Sequence, residues 1–218
     1  MFSYPKQAEF NRIVPKTKIY AHTRVSKRLK ELFVAQVEEI LWKYKLSSET
    51  VNLPARNGIN EIQVFEIALK TPDLDEDVLQ VIDKAIPFPL VFQLTHGGQI
   101  RFAASYKRPS EADASKWVIE ASFQTQPQPV DQVRPPLPVA LDLASLYEQI
   151  IRRHIPLPPR LEESIAEHVA RFNELVVKKK ALRQLETTLA QEKQFNRKVE
   201  LNAALRSVSQ ELKTLTHH

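Results

Sequence analysis

Six carboxylates fall in or beside the strand-rich middle of the chain: Glu66, Asp73, Asp75, Asp83, Glu111 and Asp113. Two of them close together, Glu66 and Asp83 for instance, would hold a divalent cation, and Lys70 or Lys107 would steady an attacking water. That would be metal-dependent phosphodiester hydrolysis. The usual arrangement of an acid followed by Glu-x-Lys on a neighbouring strand is missing, because Ala68 stands two places after Glu66. Helix capping and surface charge account for these acids equally well. The four histidines before the terminal pair, His22, His96, His154 and His168, have no ligand-like spacing, and there is no HExxH or EF-hand pattern. With no cysteine, thiol nucleophiles and Cys-ligated metal sites are excluded. Three glycines cannot build the phosphate loops of ATPases or dinucleotide enzymes, and no GxSxG elbow exists. No cofactor and no structural metal are expected, and a non-enzymatic protein is favoured.

Basic residues offer a second chemistry. Residues 1–58 carry 11 Lys and Arg against 5 acids, residues 59–127 carry 6 against 10, and residues 128–218 carry 14 against 11. Arg12, Lys16, Lys18, Lys27 and Arg28, with Arg101 and Lys107 on the polar side of a predicted meander and Arg108 at the end of its second strand, are candidates for phosphate contact. Lys178-Lys179-Lys180 and Arg197-Lys198 are further candidates, and a solvated helix flank explains them as well. Stacking aromatics are absent from the polar side, since Phe102, Tyr106, Trp117 and Phe123 alternate onto the apolar one.

The elements that would position these residues can be read from periodicity. Leu29, Phe33, Val37, Ile40 and Tyr44 predict an amphipathic helix over 26–45, with Ser26 as N-cap. Residues 61–70 read as a strand whose apolar face switches at Val64-Phe65, as in a bulge or a strand buried on both sides. Asp73 or Asp75 caps a short helix with Leu74, Val78, Leu79 and Ile82. His96-Gly97-Gly98-Gln99 is a hairpin turn, and the runs at 100–107 and 117–123 complete an antiparallel meander with one wet or partner-covered face. Five prolines make 125–141 a stiff linker, and a helix follows from about Asp142 to His154.

From Arg160 onward there is neither Gly nor Pro. Ile165, Val169, Phe172 and Val176, then Leu182, Leu185 and Leu189, then Leu201, Leu205, Val208, Leu212 and Leu215 recur at three and four. The polar stretch 192–198 lies between the last two stripes. The reading leans to a continuous or twice-broken helix rather than a hairpin. The stripe residues Leu182, Leu185, Leu189, Leu201, Leu205, Val208 and Leu212 are candidates for partner binding or homodimerisation. The expected fold is thus α+β: a small, mostly antiparallel sheet packed with helices over 1–155, then a helical or coiled-coil arm over 160–216. No apolar run reaches membrane-spanning length and no signal sequence opens the chain, so a cytoplasmic protein is expected.

Several segments together resemble a bacterial family. They are Pro15-Lys16-Thr17-Lys18, Ile40-Leu41-Trp42-Lys43-Tyr44-Lys45, the strand 61–67, Ile82 to Pro89, Tyr106-Lys107-Arg108-Pro109 and Lys193 to Asn202. The family is that of domain of unknown function 4391, and the resemblance spans nearly the whole chain. It implies an accessory role beside helicase and DNA-methyltransferase genes in restriction or phage-defence neighbourhoods, and it supplies no catalytic residues. The expected function is a non-enzymatic adaptor that binds a helicase or methyltransferase and touches DNA. A self-associating coiled-coil protein with no nucleic-acid role is the alternative.

Overall fold

The computed structural model describes residues 2–110, 113 and 117–217, so Glu111 lies outside the described residues. The chain forms two compact units, Met1–His154 and Ile155–His218.

The first unit is built on one mixed sheet. In chain order its strands are β1 (Glu9–Ile13), β2 (Val37–Ser47), β3 (Glu61–Leu69), β4 (Leu90–His96), β5 (Gln99–Pro109), β6 (Trp117–Gln124) and β7 (Gln128–Pro129). The sheet runs β1 to β6 in sequence, and β7 pairs with β5. Among the strands of the described residues only β3 and β4 pair in parallel. A parallel step needs a crossover, and α4 (Glu76–Ala85) supplies it. Asp75 caps that helix through its carboxylate, which accepts the Asp77 N–H at 2.9 Å.

The helices α1 (Lys16–His22), α2 (Lys27–Gln36) and α4 share one core with the sheet. Ile19, Phe33, Val78 and Ile82 pack there with Phe65, Ile67, Phe92 and Ala103. The short α3 (Ser48–Val51) follows β2, and α5 (Leu143–His154) packs on β5 and β3. The buried Tyr147 hydroxyl of α5 donates to Ser105 O at 2.6 Å and accepts from Lys107 N at 2.7 Å. Burial on both sides explains the face switch at Val64-Phe65, since Ile62, Val64, Phe65 and Ile67 are all inaccessible.

The expected helix over 26–45 is corrected. Ser26 does cap α2, but the helix ends at Gln36 and the chain passes straight into β2. Val37 and Ile40 satisfy the helical period, yet they lie in the core as strand residues. Pairing to β1 and β3 on either side outweighs the local period. The expected wet face of the meander is corrected for β5, where Phe102 through Lys107 are buried on both sides, while Val118 and Ser122 of β6 remain exposed. The proline-rich stretch is no free spacer. It contributes β7, its Arg134 guanidinium sits 5.3 Å from the Phe102 ring, and Pro135 O accepts the Ser3 N–H.

The second unit is a helical hairpin, α6 (Ile165–Gln191) and α7 (Phe195–Thr216). Lys178 pairs with Glu211 and Arg171 Nη1 donates to Leu215 O, so the helices run antiparallel. The expectation of a continuous helix is therefore corrected. Reversal occurs at Glu192–Gln194 without Gly or Pro, because the Glu192 carboxylate accepts the N–H groups of Lys193 and Gln194. Those bonds hold the Glu192 carboxyl below the usual range. Ser164 and Glu167 form a capping box at the start of α6. Among the described residues no helix is long and apolar enough to cross a membrane.

Candidate functional site

Lys107 holds one wall of an opening in the body. It is 2% exposed, although its alternation along β5 places it on the polar side. The C-terminal end of α4 covers that side. The Lys107 ammonium lies 2.7 Å from Asp83 Oδ1 and donates to Asp83 O at 2.6 Å, Ile86 O at 3.1 Å and Phe88 O at 3.0 Å. A cation thus meets the Asp83 carbonyl in the last turn of α4 and the carbonyls of Ile86 and Phe88 just beyond it. Burial pushes the Lys107 pKa down, and the Asp83 carboxylate opposes that shift. Lys107 is consequently no phosphate contact. It fixes the segment from Asp83 to Phe88.

That segment forms one wall of a cleft of about 570 Å³. Its floor comes from β2 and β3, through Trp42, Glu61, Gln63 and Phe65, and its opposite wall from Val14 and α1. The Trp42 and Phe65 rings stack at 5.9 Å between centroids, and the Trp42 indole N–H donates to Tyr44 O at 3.0 Å. Ile86, Pro87 and Phe88 line the same cleft. Three basic side chains, Lys18, His22 and Lys84, belong to the lining and are exposed. The polar groups at the floor are Gln63, which is buried, and Glu61. The Gln63 amide donates to the Glu61 carboxylate, and Lys45 Nζ lies 3.2 Å from the same carboxylate.

Of the basic residues singled out by charge, the cleft takes only Lys18. Lys16 instead folds back to donate to Phe33 O at 3.1 Å and Val37 O at 2.6 Å, at the end of α2, and burial lowers its pKa. Arg12 lies over the Phe10 ring, and Arg28 lies near Asp75 and Asp77. Arg101 donates to Pro72 O, Arg108 to Glu120, and Lys27 is exposed in the first turn of α2. The carboxylates do not converge. Glu66 pairs with Lys43, Asp83 with Lys107 and Asp73 with Arg101. Among the described residues there is no group of three or more His, Asp or Glu able to hold a metal ion. His96 is the last residue of β4, paired with Gln99 across the turn, and its Nδ1 lies 3.0 Å from Leu69 O.

A family model described as a domain of unknown function (DUF4391) matches residues 2–212. The chain belongs to the DUF4391 family. No curated protein and no solved structure matches it.

In this DUF4391 chain the stripes of the second unit meet each other. α6 and α7 pack together, with Leu182, Leu185, Leu189, Leu205, Val208 and Leu212 half-buried and Leu201 buried. One helix covers only part of another's apolar face, so the seam stays partly open. Lys178 is engaged by Glu211, which raises its pKa. Lys179, Lys180 and Arg183 are exposed. From Lys178 to Lys213 the hairpin carries nine Lys and Arg against four Glu, an excess equal to the net charge of the whole chain.

His22, Trp42, Glu61, Gln63, Lys84 and Phe88 were not legible as a site. They come from four separate segments with no spacing rule between them. The one local signal is Ile86-Pro87-Phe88-Pro89, an apolar segment held out of both helix and strand by its prolines.

Proposed function

We propose that this chain is a non-enzymatic accessory subunit of a cytoplasmic, DNA-directed restriction or antiphage assembly. It holds DNA through the cationic hairpin and offers the half-open leucine seam to a helicase or methyltransferase partner. The local excess of five positive charges on residues 178–213, set along one pair of helices, carries this reading. Such a charge cluster on a pair of helices attracts phosphates at long range and without sequence preference. A 27-residue helix extends about 40 Å, enough to follow roughly one turn of duplex. The open seam supports the protein-partner half, since an amphipathic helix laid along it would complete the burial of its leucines.

The test is the salt dependence of duplex binding, read by fluorescence anisotropy. Lys179, Lys180 and Arg183 are changed together to Glu, positions where exposure leaves the hairpin seam intact. The logarithmic salt slope is expected to become shallower by about 3, near 0.9 for each lost phosphate contact. An unchanged slope would remove the hairpin from the interface.

A further inference from the structure

The body's cleft has the three chemical parts that a nucleotide requires, and we infer that it binds a nucleoside 5′-phosphate unit. The ring would lie against Trp42 and Phe88, and the phosphate against Lys18, His22 and Lys84. This inference goes beyond the hairpin and rests on different residues.

Three observations lead there. The opening, at about 570 Å³, has the size of a small-ligand site and is lined mainly by apolar side chains. Its accessible charges are mostly positive: Lys18 and Lys84 are exposed in the lining, with the His22 imidazole beside them as a further hydrogen-bonding group, while the single carboxylate, Glu61, already has Lys45 beside it. An anion therefore meets cations at the mouth without facing an unneutralised acid. The third observation separates a base from a plain apolar anchor. Gln63 is only 3% exposed yet belongs to the lining, and with Glu61 it places an amide and a carboxylate at an otherwise apolar floor. A leucine or phenylalanine from a partner protein would leave the remaining hydrogen-bonding positions of Gln63 unused. A nucleobase brings donors and acceptors on its edge and apolar faces above and below it. The Gln63 amide spends one N–H on Glu61 and retains further hydrogen-bonding capacity. The cleft is also held in shape before any ligand arrives, because Lys107 ties Asp83, Ile86 and Phe88 to β5. Lys107 is a positioning residue in this arrangement and touches no ligand.

The chain has two tryptophans, so Trp117→Phe leaves Trp42 as the sole indole reporter. Full-length protein with that change is titrated with AMP, GMP, CMP and UMP, and with adenosine and ribose 5-phosphate as controls. A saturable change in Trp42 emission is expected with at least one nucleotide. Binding should weaken about tenfold or more when either the phosphate or the base is removed. Lys84→Ala, at an exposed position, should weaken the nucleotide by a similar factor and leave adenosine unaffected. Gln63→Leu, with folding checked by circular dichroism, should alter the order of preference among the four bases. A single-stranded oligonucleotide distinguishes the sources. Tighter, Lys84-dependent binding of the strand assigns the site to an unstacked nucleotide of nucleic acid, and equal binding assigns it to a free nucleotide. No saturable response to any of the four would overturn the inference. So would ribose 5-phosphate binding as well as the nucleotides. A response confined to an acidic, leucine-bearing peptide would give the cleft to a partner protein and overturn it as well. The hairpin variant with three Glu substitutions should keep the nucleotide response, so failure of either reading is recognised separately.

Discussion

Lys107→Met is expected to destabilise the body by about 3 to 5 kcal/mol, the range for removing one partner of a buried ion pair. The side chains of Lys107 and Asp83 are 1% and 2% exposed, so water cannot replace the lost ammonium. Asp83 Oδ2 has no hydrogen-bond partner among the described residues even with Lys107 present. Without it the whole carboxylate and the carbonyls of Asp83, Ile86 and Phe88 lose their cation together. Methionine keeps most of the stem's volume, so the loss reports the charge and its bonds rather than a cavity. Asp83→Asn should cost less, because the three carbonyl bonds to the ammonium remain. The double change Lys107→Met with Asp83→Leu should recover part of the loss, since the buried charge then disappears altogether. Urea denaturation measures all three variants. A loss below about 1 kcal/mol for Lys107→Met would show that the pair is not what fixes this wall.

Arg171→Ala is expected to open the base of the hairpin, with a loss of about 3 kcal/mol. Arg171 is 7% exposed and its guanidinium makes four bonds. Two go to the Glu163 carboxylate, at 2.6 and 2.8 Å, one to Pro158 O at 2.7 Å and one to Leu215 O at 2.8 Å. One side chain thereby ties α6 to the segment before it and to the end of α7. Arg171→Lys should rescue little, because an ammonium cannot reproduce the two-pronged grip on a carboxylate. Acid gives a second readout. The guanidinium, with the Arg160 backbone N–H, holds the Glu163 carboxyl down at about 2, against an ordinary value of 4.5. Its folded form therefore binds a proton less readily than its unfolded form. The stabilisation is complete above pH 4.5 and is lost as pH falls from 4.5 towards 2. Helix content followed by circular dichroism should decline through that window in the parent and show a weaker decline in Arg171→Ala. Equal acid sensitivity in the two proteins would contradict the clamp.

The legible parts of this fold are those whose signals are local. Gly97 and Gly98 both take positive φ, 55° and 77°, in the tight turn between β4 and β5. Asp75 and the apolar spacing after it mark α4. The parts that were not legible depend on distant chain. Leu29, Phe33, Val37 and Ile40 fit a helix as well as a helix followed by a strand, and only β1 and β3 decide between them. β1 itself is a five-residue edge strand, almost wholly exposed, with Asn11 at positive φ, so it has no apolar alternation to read. Alternation placed Lys107 on the correct side of β5, but nothing nearby in the sequence says that the end of α4 covers that side. The reversal in the arm had a signal in the polar residues 192–198. It was outweighed by the lack of Gly and Pro, which Glu192 makes unnecessary by capping the turn with its own carboxylate.

The most direct test of the proposed role is affinity capture of the intact chain from its native host. The eluate is identified by mass spectrometry with and without nuclease treatment, beside the same capture with the Lys179, Lys180 and Arg183 to Glu variant. The account predicts a DNA-directed helicase or methyltransferase that stays bound after nuclease through the hairpin seam, together with DNA that the variant fails to retain. Recovery of the bait with only further copies of itself, and no DNA with either protein, would contradict it and favour a self-associating hairpin.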